Sequence, residues 1–215
     1  GDQSILYDAQ GNEAESFTNE MVDVSRLPND DPPQFYDLCF GNDTFDQYMP
    51  KKQVTQVKRN EHTTIYYDNK IVVFGGDDGT NRLNDVWEFD LTNNSWLNIT
   101  PTNNTSPSIR NGHTSIYYDN KMVVFGGYNN TNNHLYDIYE FDLTNNSWSD
   151  IIPTNNTSPS VGANHTSIYY DNKIVVFGGE KAGGEITNDI WEFDLTNNRW
   201  SNIIPTNTSP SARKD

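Results

Sequence analysis

The stretch His113-Thr114-Ser115-Ile116-Tyr117-Tyr118-Asp119-Asn120-Lys121-Met122-Val123-Val124-Phe125-Gly126-Gly127 recurs almost verbatim from His62 and from His165. The copies start 51 and 52 residues apart and close on the glycine pairs Gly75-Gly76, Gly126-Gly127 and Gly178-Gly179. Self-similarity at a fixed period of about 50 residues is the mark of a repeat architecture. Within the stretch, His113 to Tyr118 is β-branched and aromatic, and Asp119-Asn120 supplies the positive-φ pair of a two-residue hairpin. Met122 to Phe125 is continuously apolar, as in a strand covered on both faces.

Downstream of the glycine pair, Ile138 to Leu143 alternates, with Tyr139, Phe141 and Leu143 on one face and Glu140 and Asp142 on the other. That pattern predicts a third strand with one polar side. Asn145-Asn146-Ser147 is a turn, and Trp148 to Ile152 is a short fourth strand stopped by Pro153, which suits an edge. Each repeat is therefore a four-stranded meander with apolar residues on both faces. Such a sheet is not stable alone, and stacking copies radially buries the faces against their neighbours.

The glycine pair ending an apolar strand, followed by an aromatic and a tryptophan seven residues apart (Phe89 and Trp96, Phe141 and Trp148, Phe193 and Trp200), resembles the kelch repeat. The resemblance covers residues 62–215 and, more faintly, 36–61. It implies an all-β, kelch-type β-propeller, of which this chain would carry about three and a half four-stranded blades. Kelch repeats usually have tyrosine at the first aromatic position. Phenylalanine here leaves that residue a packing role. The glycines are expected where a Cβ would obstruct the neighbouring blade or where φ is positive, and the tryptophans in the seams between blades.

Residues 1–33 read as an acidic, polar N-terminal extension, and residues 34–215 as propeller. Within the latter, residues 34–61 form a half blade and full repeats begin near 62, 113 and 165. Residues 36–50 match residues 87–101 in pattern, and Phe45 precedes His62 by the same 17 residues that separate Trp96 from His113. Cys39 falls where the full repeats have Asp90, Asp142 and Asp194, so it is read as a frame position. A six-bladed ring at this spacing needs roughly 310 residues. The expectation is a fragment of a longer propeller, or else two copies associating through exposed blade edges. Gly1 in place of methionine is compatible with a removed leader or a longer parent chain.

Composition narrows the function classes. Against 30 Asp and Glu stand 14 Lys and Arg, a net charge of −16, which disfavours a phosphate backbone as partner. No apolar run reaches the 18 residues of a membrane helix. A single cysteine points towards a cytoplasmic protein. The Asn-x-Ser/Thr sequons, among them Asn42, Asn93, Asn98, Asn129, Asn145 and Asn164, would be acceptors in a secreted one, but a chain this rich in Asn and Thr produces them by composition.

His62, His113 and His165 recur at the same place in every repeat, which predicts a structural hydrogen bond in place of a metal site. No catalytic residue, metal or cofactor is expected: Cys39 lacks the setting a galactose-oxidase-like site implies. Glu185 and Asp189 lead into Phe193 where the iron-dependent nitrile-specifier pattern has histidine. Variable positions carry the functional signal instead, because shared residues make the frame. The loops between second and third strands differ most, and the resemblance places them on one face with the loops entering each first strand. Arg59, Arg82, Arg110, Tyr128, His134 and Lys181 are the candidate partner-binding residues, the arginines for bidentate capture of a carboxylate on an acidic peptide or loop. The function expected is a non-enzymatic protein–protein interaction scaffold. The alternatives are a sugar- or small-molecule-acting enzyme with its site in further blades, and a structural component of a larger assembly.

Overall fold

A computed structural model describes residues 57–102 and 106–214. The extension at 1–33, Cys39 and most of the half blade lie outside the described residues. The first blade comprises β1 (Thr63–Tyr67), β2 (Lys70–Phe74), β3 (Val86–Asp90) and β4 (Ser95–Asn98). The second is β5 (Thr114–Tyr118), β6 (Lys121–Phe125), β7 (Ile138–Asp142) and β8 (Ser147–Ile151). The third region contains β9 (Val161–Ala163), β10 (Thr166–Tyr170), β11 (Lys173–Phe177), β12 (Glu180–Lys181), β13 (Ile190–Asp194) and β14 (Arg199–Ile203). In each blade the four long strands pair in meander order, all antiparallel, while β9 pairs with β12 beside the third blade. This is the all-β, four-stranded blade architecture that the repeat implied.

The hairpin between the first two strands closes in each blade on an Asp-Asn pair with positive φ, 47° and 57° at Asp119 and Asn120. Two such residues match the twist of the flanking strands. Phe141 pairs with Trp148, and Phe89 and Phe193 pair likewise with Trp96 and Trp200, so the seven-residue spacing is a cross-strand register set by the four-residue turn.

Blades stack through their apolar faces. Ile65, Val72, Phe74 and Val86 of the first blade meet Met122, Val124, Phe141 and Trp148 of the second. Ile116, Val123, Phe125 and Ile138 of the second meet Ile174, Val176, Phe193 and Trp200 of the third. Trp148 sits 4.8 Å from Phe74 across one seam, and Trp200 sits 4.9 Å from Phe125 across the other. The glycine pairs fit the close approach: a Cβ on Gly75 would lie 2.9 Å from Arg110 O, and its φ of 62° also favours glycine.

The polar side expected of the third strands pairs with lysines of the second strands, and in the first blade its glutamate is buried. Glu88 is buried, accepting a hydrogen bond from Tyr67 at 2.8 Å and pairing with Lys70 at 3.0 Å. Glu140 pairs in the same way with Lys121 and Glu192 with Lys173. Alternation marked these residues as polar, and the adjacent lysine on the second strand lets Glu88 and Glu140 keep a charge within a seam, while Glu192 lies with Ile168 on the outward face of the third blade.

Candidate functional site: the loop face

Each blade's second-to-third-strand loop begins immediately after the glycine pair, and the backbone ties it to the loop that enters a first strand. Asn60 bridges Asp77, Leu83 bridges Arg110, and Asn111 bridges Tyr128. Between successive blades, Gly76 N donates to Arg110 O at 2.9 Å and Gly127 N to Gly162 O at 2.6 Å, and Gly179 N repeats the bond to Arg213 O at 2.9 Å in the segment after the third blade. The two loop sets therefore form one face running across all three blades.

Four of the six candidate residues meet there. Arg82 donates through Nη2 to Asn132 Oδ1 at 2.6 Å, and its guanidinium lies 5.7 Å from the Tyr128 ring centre. His134 packs against Tyr128 at 4.6 Å, and its Nε2 is 4.0 Å from Glu180. Glu180 is held below the usual carboxylate range by hydrogen bonds from Lys214 and Tyr128. Burial, with the hydrogen bond to Glu180, pushes the Tyr128 phenol up to about 12. Lys181 stands alongside, 3.4 Å from Glu185 and 4.0 Å from Asp189. A polar string thus links Arg82 in the first blade, Tyr128 and His134 in the second, and Glu180 in the third.

Arg59 and Arg110 are placed differently. Their side chains are 3% and 0% exposed. Arg59 grips Asp85 with bonds of 2.6 and 2.9 Å, and Arg110 grips Asp137 with bonds of 2.7 and 3.0 Å. The charge that either would offer a ligand is already neutralised within its own blade. Asp85 and Asp137 were missed by sequence reasoning, although each lies 26 or 27 residues after its arginine in the repeat frame. Asn132, Glu180 and Lys214 were missed because nothing local marks a contact between loops of different blades.

The histidines join inner strands. His113 Nε2 is hydrogen-bonded to Thr63 Oγ1 at 2.8 Å, and His165 Nε2 to Thr114 Oγ1 at 2.9 Å. Burial holds His165 down to about 4, and His113 well below the ordinary range with Arg110 adding to the effect. Alongside these strands runs a groove of about 470 Å³ lined by Thr63, Thr114, Thr166, Ser115, Ser167 and Glu61, among others. Its hydroxyl-rich walls can hydrogen-bond a polar ligand, and the Thr63 and Thr114 hydroxyls there are bonded to the buried imidazoles of His113 and His165. Among the described residues no group of three His, Cys, Asp or Glu side chains is placed to hold a metal.

Comparison with known proteins places this geometry. The KLHDC2/KLHL20/DRC7 Kelch-repeats domain matches residues 30–119 and 97–215. Over 216 aligned residues the chain is 31% identical to the Drosophila melanogaster protein named leucine-zipper-like transcriptional regulator 1 homolog, covering 93% of this chain and 21% of that one. The human leucine-zipper-like transcriptional regulator 1 is 28% identical over 78% of this chain and 22% of its own length. Acyl-CoA-binding domain-containing protein 5 of Arabidopsis thaliana is 26% identical over 73% of this chain and 26% of its own. The chain thus spans about a fifth to a quarter of these relatives. Repeat period, blade topology, glycine-lined seams and family match together make this chain a member of the kelch-repeat family.

Proposed function

We propose that this chain is a non-enzymatic protein-binding scaffold whose partner docks across the three loops that follow the glycine pairs. The observation that carries the reading is the convergence of Arg82, Tyr128, His134 and Lys181 on one face that spans three blades, at positions where otherwise near-identical repeats differ. Scaffold residues repeat because each blade solves the same packing problem, whereas differences between repeats are free to serve recognition. The relatives carry dissimilar names while sharing this segment, as suits a module joined to varied companions. Arg82 and Lys181 supply cationic contacts for an acidic peptide or loop, and Tyr128 and His134 supply an aromatic floor. Arg59 and Arg110 contribute by holding the entering loops in place.

The test uses the full-length protein as bait in cross-linking mass spectrometry. Replacing Arg82, Tyr128 and Lys181 together by alanine should lower recovery of the specific partner about tenfold or more, the scale of lost hot-spot contacts. Alanines at Thr92, Thr144 and Thr196, on the opposite hairpin turns, should leave it unchanged. Equal loss from both sets, or from neither, overturns the reading.

Self-association is a second reading, favoured by the outward faces of the first and third blades. Trp96 and Ile168 are 40% and 62% exposed there. Sedimentation velocity of the 215-residue chain tests it, a concentration-independent monomer being the result against it.

A further inference from the structure

In the first two blades the arginine three residues before the histidine makes the same two polar contacts, to a glycine carbonyl and to an aspartate. Arg59 donates through Nη1 to Gly75 O at 2.9 Å and grips Asp85 with both terminal nitrogens. Arg110 donates through Nη1 to Gly126 O at 2.9 Å, grips Asp137, and lies 5.6 Å from the Tyr139 ring centre. Both sockets therefore share two walls, a bidentate carboxylate and a glycine carbonyl, and in the second blade an aromatic ring adds a third.

The third blade keeps the walls and loses the arginine. Asp189 takes the place of Asp85 and Asp137, Gly178 that of Gly75 and Gly126, and Trp191 that of Trp87 and Tyr139, while Gly162 stands where the arginine would be. Trp87 donates its indole N–H to Asp85 Oδ2 at 2.6 Å, whereas the indole nitrogen of Trp191 is buried with no partner among the described residues. Lys181 Nζ is 4.0 Å from Asp189, beyond hydrogen-bonding range, and nearer to Glu185. The reason for the missing side chain is also visible. A Cβ on Gly162 would lie 2.7 Å from His134 Cβ and 3.0 Å from Leu135 O, so the second blade's loop packs where an arginine stem would start. The guanidinium cannot come from this position.

We propose that the third blade holds an arginine socket whose arginine is supplied in trans, by a partner polypeptide. Asp189 accepts two guanidinium N–H groups, Gly178 O accepts a third, and Trp191 offers its ring face. Those requirements select arginine over lysine, because an ammonium cannot make the planar bidentate pair. A chain of net charge −16 also draws a cationic segment towards it. The socket adds a second recognition chemistry to the scaffold reading, opposite in sign to that of Arg82, and it uses different acceptors.

The experiment is a ¹H–¹⁵N titration of the 215-residue chain with acetyl-Gly-Arg-Gly-amide, following the Trp191 indole signal. A saturable shift is expected, with acetyl-Gly-Lys-Gly-amide about tenfold weaker for want of the bidentate fork. Asp189→Asn should weaken the arginine peptide about tenfold. Lys181→Met, which removes the nearest competing cation, should tighten it. Unshifted backbone signals in the first two blades show that both variants remain folded. No Trp191 shift with the arginine peptide at tens of millimolar, equal response to the lysine peptide, or a shift unchanged in Asp189→Asn overturns the proposal. The loop-face triple variant is not used in this titration, so its outcome and that of the scaffold test are separate.

Discussion

The seam between the second and third blades and the outward face of the third blade are written in nearly the same residues, yet they differ in burial. Ile116 in the seam is 5% exposed, whereas Ile168, its equivalent, is 62% exposed. Tyr118 packs on Tyr169 at 5.2 Å across the seam, while Tyr170, the equivalent of Tyr118, is 67% exposed. At the other end Trp96 is 40% exposed against 3% for Trp148 and 2% for Trp200. The same side chain at the same strand position thus contributes or fails to contribute according to its neighbour. Hydrophobic stabilisation follows the area removed from water, and in a radial stack that area belongs to the pair of blades.

The widest gap should appear at the tryptophans. Trp148→Ala removes contacts to both Phe74 and Phe141 and should cost about 3–5 kcal/mol. Trp96→Ala loses its contact to Phe89 and should cost less than about 1 kcal/mol. Urea unfolding of both variants measures the difference, and equal losses would mean that Trp96 is covered in solution.

Next comes the acid response of the seams. Burial holds the His165 imidazole down to about 4 in the folded state, against an ordinary value of 6.5. Folding therefore resists protonation, so the contribution is complete above pH 6.5 and is lost as pH falls towards 4. The loss amounts to about 3 kcal/mol at most, from 1.36 kcal/mol per unit. His113 acts in the same direction. His62 is lowered less deeply, by partial burial and then by Arg59, and is itself exposed. Replacing His165 with glutamine should flatten the fall in stability between pH 6.5 and 4, and replacing His62 should barely alter it. Matching slopes in the two variants would remove the seam as the cause.

The smallest effect, and the most diagnostic of what covers the third blade, is expected at Ile168. Ile168→Thr should change stability by no more than about 0.5 kcal/mol, the usual range for exposed sites. Ile116→Thr should cost about 2 kcal/mol, through lost burial and a buried hydroxyl. A concentration-dependent penalty at Ile168 would instead indicate a second copy on that face.

Much of the frame was legible because it is local or periodic. The Asp-Asn hairpin, the apolar second strand, the Phe–Trp register and the role of the glycines all follow from spacing within one repeat. Recurrence also identified His113 and His165 as structural, although it did not name Thr63 and Thr114 as their partners. The candidate site was only partly legible. Variability located Arg82, Tyr128, His134 and Lys181, which do share a face. Loop position groups Arg59 and Arg110 with them, and only the tertiary structure shows these two turned inward onto Asp85 and Asp137. A guanidinium's direction depends on a carboxylate that the fold returns to it across a hairpin and a loop, and the sequence does not display that return.

By itself, then, the sequence determined the repeat, the four-strand meander and the positions open to variation, since these rest on periodicity and backbone preference. Tertiary structure decided which identical isoleucines are dry, which arginines are already neutralised and why Gly162 stands where its counterparts are arginine. Each of those depends on a neighbouring blade or loop, and burial and charge pairing are properties of the contact between elements.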